Sequence, residues 1–270
     1  MLLKAFDKKN QVNVDLCINK VFEIYNSKMM HTYCKINPDF QKLALLLKNW
    51  NKKRFPNNQT RLNSFSIVLM LLSYMQSLGQ LPNLQNFGAE RRGLTDKERP
   101  TNYKVQRICA KIGKYTEISD CYFESDMQRI HSEWKIKQKV PASEVLIGFF
   151  AKYLFDYNPA SDVIDISAED GFRSFEKAKK IVENCCHSEK CKQALLRDPK
   201  WTFFILDPFD KGYNPAKAIE KDSEIEVQYF TEMAETLIQL LIKKEKKLRH
   251  ILDSFSKSPE PKLQSHKSVR

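Results

Sequence analysis

Apolar and polar residues alternate along "QVNVDLCINK", from Gln11 to Lys20. Val12, Val14, Leu16 and Ile18 fall on one side of an extended chain, and Asn13, Asp15, Cys17 and Asn19 on the other. This period of two predicts a half-buried strand that presents one carboxylate, Asp15, on its polar face. Beyond it the period lengthens. Asn26 and Ser27 have the residue types of a helix start and lead into "KMMHTYCKI". Pro38 and Asp39 open a second helix, "FQKLALLLKNWNKKR", in which Phe40, Leu43, Ala44, Leu47 and Trp50 share one face. Lys48 and Lys52, four apart, lie together beside that face. The turn "FPNNQTRLN" interrupts. "FSIVLMLLSYM", Phe65 to Met75, is apolar nearly all round, as a helix buried in the middle of a helical domain is.

After the loop "LGQLPNLQNFG", residues 88–115 are polar and basic without apolar periodicity, which predicts a surface excursion. Order returns with "DCYFESDMQRIHSEW" and a helix "PASEVLIGFFAKYLFDY", where Ser143 stands as the cap before an apolar stripe. "DVIDIS" alternates like a strand, and "WTFFILDPFD" reads as a second short strand running into a proline turn. The last large element spans about Ser223 to Leu252, and Ser223 with Glu226 has the form of a capping box. The expected fold class is therefore mainly α (α+β), with a few short strands.

Composition narrows the function. The net charge is +12 and the pI about 9.2, which favours polyanionic partners such as RNA through phosphate neutralisation and counterion release. From Leu241 to Arg270, nine Lys or Arg stand against three acids, half of the total excess. Only seven glycines in 270 residues argue against a glycine-rich phosphate loop. Seven cysteines without framework spacing suit a reducing, intracellular compartment, cytoplasmic or nuclear. The longest apolar run is about half a bilayer span, so no membrane association is expected. Cys185, Cys186, His187 and Cys191 offer soft metal ligands, but adjacent residues cannot easily present three of them to one tetrahedral ion.

Taken in order, "VNVDLCIN", "YNSKMMHTYCKINPDFQKLALLLKNWNKKR", "LNSFSIVLMLLSYMQ" with "LPNLQ", "SEVLIGFFAKYLFDYN" and "FFILDPFDKGYNPAKAI" resemble the terminal RNA nucleotidyltransferases. That family comprises the non-canonical poly(A) polymerases and terminal uridylyltransferases, and the last two stretches resemble its PAP-associated domain. The resemblance implies nucleotidyl transfer from ATP or UTP to an RNA 3′ end, with Mg2+ (or Mn2+) held by three aspartates. Asp15 matches the third of these, as metal ligand and catalytic residue. The first two, and their Gly-Ser turn, have no counterpart; the expectation is that they lie N-terminal to Met1 and that the chain alone does not polymerise.

The remainder of the nucleotide site is implied by the same resemblance. Asn26 and Ser27 match residues that meet the sugar hydroxyls, Lys48 and Lys52 the lysine pair on the triphosphate, and Ser64 a phosphate-contacting serine. Phe65 stands where a base-stacking Tyr is usual, keeping the ring and losing the hydroxyl. Asp207 and Asp210 match acids near the base edge. Tyr213 takes a position where uridylyltransferases often carry His, which leaves ATP and UTP both open. The implied organisation is a palm remnant over 1–25, a helical central domain over 26–255 with the PAP-associated segment at about 141–220, and a disordered basic tail over 256–270. The competing reading is a noncatalytic RNA- or nucleotide-binding subunit that uses the same helical surface as a scaffold; a protein partner is compatible with either reading.

Overall fold

The computed structural model describes residues 2–17, 21–57, 60–87, 104–108, 116–136, 138–184, 189–196 and 201–256. Among them the chain is mainly α-helical, with three two-stranded antiparallel sheets. The first is the hairpin β1 (Leu2–Asp7) and β2 (Val12–Cys17), in which Lys4 faces Asp15 and Leu3 faces Leu16. The strand at Asp15 forms as its alternation predicts, but it is not half-buried. Leu3 (47% exposed), Val12 (51%) and Leu16 (53%) remain open to solvent, because among the described residues no element covers the apolar face of this hairpin.

Four helices build the core: α1 (Val21–Ile36), α2 (Pro38–Arg54), α3 (Ser64–Ser77) and, much later in the chain, α5 (Ala142–Ala151), with α4 (Met127–Glu133) between the last two. Helix α1 starts earlier than Asn26 and Ser27 suggest. The Ser27 hydroxyl donates to the Glu23 carbonyl one turn back (2.7 Å), so it sits inside the helix instead of capping it. Helix α2 begins at Pro38 as expected, with Asn37 capping it through the Asp39 N–H (3.0 Å), and Asn63 caps α3 through the Ser66 N–H (2.8 Å). Helix α3 is buried on nearly every side. Helix α5 has Pro141, not Ser143, at its cap position, and no side chain closes it. It continues into a π-helical turn over Lys152–Asp156.

The 33-residue α8 (Glu224–Ser256) returns across this bundle. One half of its capping box forms, the Glu226 N–H donating to Ser223 Oγ (3.2 Å), while the Glu226 carboxylate accepts from the N–H of Asp222, one residue before the cap (2.5 Å). Tyr229 of α8 stacks on Phe55 with centroids 4.1 Å apart, and Trp50 meets both rings edge-on. Trp50 Nε1 also donates to Thr236 Oγ1 (2.9 Å).

Between α5 and α8 lie β5 (Asp162–Ile164) and β6 (Phe172–Ser174), then α6 (Phe175–Glu183) and α7 (Glu189–Leu196). A small second core of Val163, Ala178, Val182, Leu195, Phe204 and Leu206 forms beneath them. The stretch "WTFFILDPFD" is not a full strand. It makes a single parallel bridge, Ile164 to Ile205, closed by Ile164 N–H to Phe204 O (2.8 Å) and Leu206 N–H to Ile164 O (2.9 Å). Within the predicted surface excursion, β3 (Lys104–Ile108) pairs with β4 (Thr116–Asp120), while 88–103 and 109–115 lie outside the described residues. The Cys185–Cys191 cluster lies outside them as a side-chain group, and so does the tail beyond Ser256.

Gly171 joins the β5–β6 hairpin to α3. Its φ is +80°, its carbonyl accepts from Ser73 Oγ (2.5 Å), and a Cβ there would stand 2.4 Å from the Ser73 carbonyl oxygen. Gly171→Ala therefore adds a left-handed backbone penalty to a collision with main chain. Thermal or urea unfolding should show a loss of at least ~2 kcal/mol; wild-type stability would contradict this packing.

Candidate functional site

Helix α2 delivers its last two turns to the segment that precedes α3, and one buried amide fixes the meeting. Asn51, 3% exposed, donates through Nδ2 to the Leu62 carbonyl (2.7 Å) and accepts through Oδ1 from the Tyr229 hydroxyl. Around this junction lies a polar cavity of about 280 Å3 lined by Lys48, Asn49, Asn51, Lys52, Arg61 and Ser64. The structure thus brings together the two lysines and the serine named from the sequence. Its volume sits at the small end for ligand pockets, suited to phosphate groups more than to a whole nucleotide. A larger groove, about 640 Å3, runs between Asn86, residues 167–174 and Lys177 and contains none of the predicted residues.

The second half of the site is the loop after Ile205. Asn214 holds it in shape, accepting from the Ile205 and Ala216 N–H groups (3.2 and 3.0 Å) and donating to the Phe203 carbonyl (3.1 Å). At the loop's start Asp207 is buried and accepts from the Phe209 and Asp210 N–H groups, 2.9 Å each. Burial outweighs these bonds and pushes the Asp207 carboxyl up to about 6. Tyr213 lies on the exposed side with Lys217 Nζ 5.0 Å from its ring centre. Two contacts tie this loop to the helices. Asn63 Nδ2, at the start of α3, donates to the Pro215 carbonyl (2.9 Å), and Tyr25 of α1 meets Phe209 edge-on at 6.2 Å.

Beneath the loop, Lys211 approaches the fully buried Asp165 (3.8 Å), which also pairs with Arg173 Nε (2.6 Å) and accepts from Ser167 Oγ (2.6 Å). Burial pushes the Asp165 carboxyl up, but Lys211, Arg173 and Ser167 together hold it below the ordinary carboxylate range. Asn51, Asn214 and Asp165 were not singled out from the sequence. A buried Asn or Asp in a loop has no periodic signature, so only the three-dimensional partners reveal it.

Asn26, next to Tyr25 on α1, is buried, and its Oδ1 has no hydrogen-bond partner among the described residues. An orphaned buried acceptor of this kind fits a donor supplied by a ligand, such as a sugar hydroxyl. Ser27 is exposed and its proton is committed to Glu23; its oxygen can still accept. Phe65 is partly buried, packed against the main core with part of its ring open. Asp15 is exposed on the hairpin, opposite Lys4. Among the described residues no group of three His, Cys, Asp or Glu side chains converges. The donor set around Asp15 therefore does not fit a paired magnesium centre.

The raised Asp207 carboxyl makes a signed prediction. Between the unfolded value of roughly 3.9 and about 6 the folded chain binds the extra proton, so this group's contribution favours folding at low pH and weakens as pH rises through 6. Asp207→Asn keeps an oxygen for the two N–H groups and removes the buried charge. It should raise stability at pH 7 by on the order of 2 kcal/mol and add little near pH 4. Melting curves of both proteins over pH 4–8 check this, and a constant offset across the range would contradict it.

No family model matches the chain. Among curated proteins it is similar to the poly(A) RNA polymerase GLD2-B of Xenopus laevis, 25% identical over 234 residues, or 84% of this chain and 37% of that protein. Human poly(A) RNA polymerase GLD2 is 34% identical over 93 residues, which cover 33% of this chain and 19% of that one. The chain thus spans less than two fifths of the length of these relatives. Among solved structures, a cytoplasmic RNA terminal U-transferase superposes with a TM-score of 0.62 at 19% identity, over 88% of this chain and 64% of that one. The Cid1 poly(U) polymerase superposes with 0.61 at 20% identity, over 87% and 64%. Among the described residues no helix is long and apolar enough to cross a membrane. Sequence similarity and fold agree: over most of its length the chain is similar to the terminal RNA nucleotidyltransferases.

Proposed function

We propose that this chain holds the nucleoside triphosphate, ATP or UTP, and the RNA for nucleotidyl transfer to an RNA 3′ end. The observation that carries the reading is the cavity in which Lys48 and Lys52 of α2 meet Ser64 of α3. Two cations one turn apart suit a polyanion, and a serine hydroxyl supplies a directional donor. Asn26 and Ser27 serve the sugar, Phe65 offers a ring face to the base, and Asp207 and Asp210 accept from its edge. Tyr213 borders the base side. RNA is drawn by the basic, exposed stretch of α8 from Lys243 to Arg249. Residues 1–25 fit a palm remnant and 26–255 the central domain, with the PAP-associated segment at about 141–220.

Mg2+ or Mn2+, which the resemblance implies on three carboxylates, would supply activation of the 3′-hydroxyl and stabilisation of the leaving pyrophosphate. Asp15 can be only one of those carboxylates, and no step is assigned to the others here. The second reading is a noncatalytic RNA- or nucleotide-binding subunit on the same scaffold; among the described residues no cluster of metal-ligating side chains forms around Asp15, which suits it. A reducing compartment, cytoplasm or nucleus, suits either role.

Calorimetric titration of ATP and UTP separates present use from ancestry. Binding should be weak, roughly high micromolar to millimolar, since the phosphates meet side-chain cations without a complete metal centre. Lys48→Ala with Lys52→Ala should weaken it about tenfold or more. Melting should stay unchanged, because Lys52 is exposed and Lys48 only partly buried. Equal affinity in both proteins would reduce the lysines to a solvated helix edge.

A further inference from the structure

The cavity at the end of α2 contains a third cation beside its two lysines. Arg61 lies in the turn three residues before Ser64 and lines the same space as Lys48 and Lys52. Its Nη1 donates to the carbonyls of Phe55 (3.1 Å) and Pro56 (3.5 Å), the first chain beyond α2. A helix C-terminus is a poor place for an anion, because its free carbonyls point outward with partial negative charge. The Arg61 guanidinium covers two carbonyls just past that terminus and reverses the local sign. A guanidinium has five N–H donors in a planar fork, so those two bonds leave others for an anion.

Charge counting points the same way. Three of the six lining residues are cations and none is a carboxylate. Of the other three cations of α2, Lys42 pairs with Asp39 (3.1 Å) and Arg54 with Glu232 (2.9 Å) and Glu235 (4.0 Å), while Lys53 is exposed and does not line the cavity. Among the described residues no such ion pair neutralises Lys48, Lys52 or Arg61. Three like charges held together repel one another, and an anion between them relieves that cost. The backbone beside Arg61 is also fixed, since the Leu62 carbonyl is tied to Asn51 and through it to Tyr229.

We propose that Arg61 is a third phosphate-binding residue, and that Lys48, Lys52 and Arg61 together form a polyphosphate site that works without a divalent metal. This rests on the nucleotide-binding reading and deepens it, naming the phosphate chain as the recognised element. An anion seated there meets the two ammonium groups and the free edge of the guanidinium, with Ser64 Oγ as a fourth donor. Recognition of the phosphates by charge and fork geometry predicts that inorganic tripolyphosphate, with neither sugar nor base, still binds here.

The test titrates sodium tripolyphosphate into the full chain in EDTA at low salt, by calorimetry, for wild type, Arg61→Ala, Arg61→Lys and the double lysine variant. Wild type should bind. Arg61→Ala should bind about tenfold more weakly, with a smaller salt slope, and Arg61→Lys should fall between because it keeps charge and loses the fork. Melting curves control for folding, and Arg61→Lys keeps the comparison valid if the alanine variant loosens the turn. Wild-type affinity in both Arg61 variants, with the double lysine variant weakened, would overturn the role of Arg61 and leave the lysine pocket standing. Equal affinity in all four proteins would overturn the pocket itself. Binding only when Mg2+ replaces EDTA would overturn the metal-independent site.

Discussion

Everything in the candidate site depends on how one buried amide is satisfied. Asn51 has no water to fall back on, so its donor and acceptor must both find protein partners, and an unpaired buried amide would cost several kcal/mol. It meets this demand by bonding Leu62 on one side and Tyr229 on the other. Those bonds join the end of α2, the turn before α3 and the first turns of α8. The stacked Phe55 and Tyr229 rings lock two of these segments, the end of α2 and α8, by shape. Lys48, Lys52, Arg61 and Ser64 converge because the chain segments that carry them are pinned at this point.

A second frame holds the opposite chemistry. Asn214 shapes the loop after Ile205, and the charge of Lys211 against the buried Asp165 anchors it from below. The acids Asp207 and Asp210 belong to this loop, and the three cations belong to the α2–α3 junction. Asn63 links the two frames, capping α3 with its oxygen and reaching Pro215 with its nitrogen. A nucleotide has acidic phosphates at one end and hydrogen-bond donors on its base at the other. The separation of cations from acids therefore gives the site a polarity that matches the ligand's own.

The sequence exposed those features that are local. The start of α2 at Pro38, the cap of α8 at Ser223 and the all-round apolar helix α3 follow from short-range rules and appear as expected. Lys48 and Lys52 were legible because a helical spacing of four sets them on one face. Features that depend on distant partners were not. Alternation at Val12–Leu16 correctly gives a strand but says nothing about whether another element covers it. Ser143 has the right residue type for a cap, yet the helix begins at Ala142, after Pro141. The apolar run at 201–206 looks like a strand, but Asn214 takes the Ile205 N–H and the Phe203 carbonyl, and only two isolated bridges, Ile164–Ile205 and Trp201–Glu220, form in place of a ladder. Arg61 sits in an aperiodic turn, where charge alone carries no positional signal.

The account claims that the phosphates of a nucleotide bind at the junction held by Asn51. A crystal structure of the chain grown with ATP tests this most directly. Phosphate density should lie between Lys48, Lys52, Arg61 and Ser64, with the ribose toward Asn26 and the base against Phe65. Phosphates seated instead in the groove beside Arg173 and Lys177, with the α2–α3 cavity empty, would contradict it.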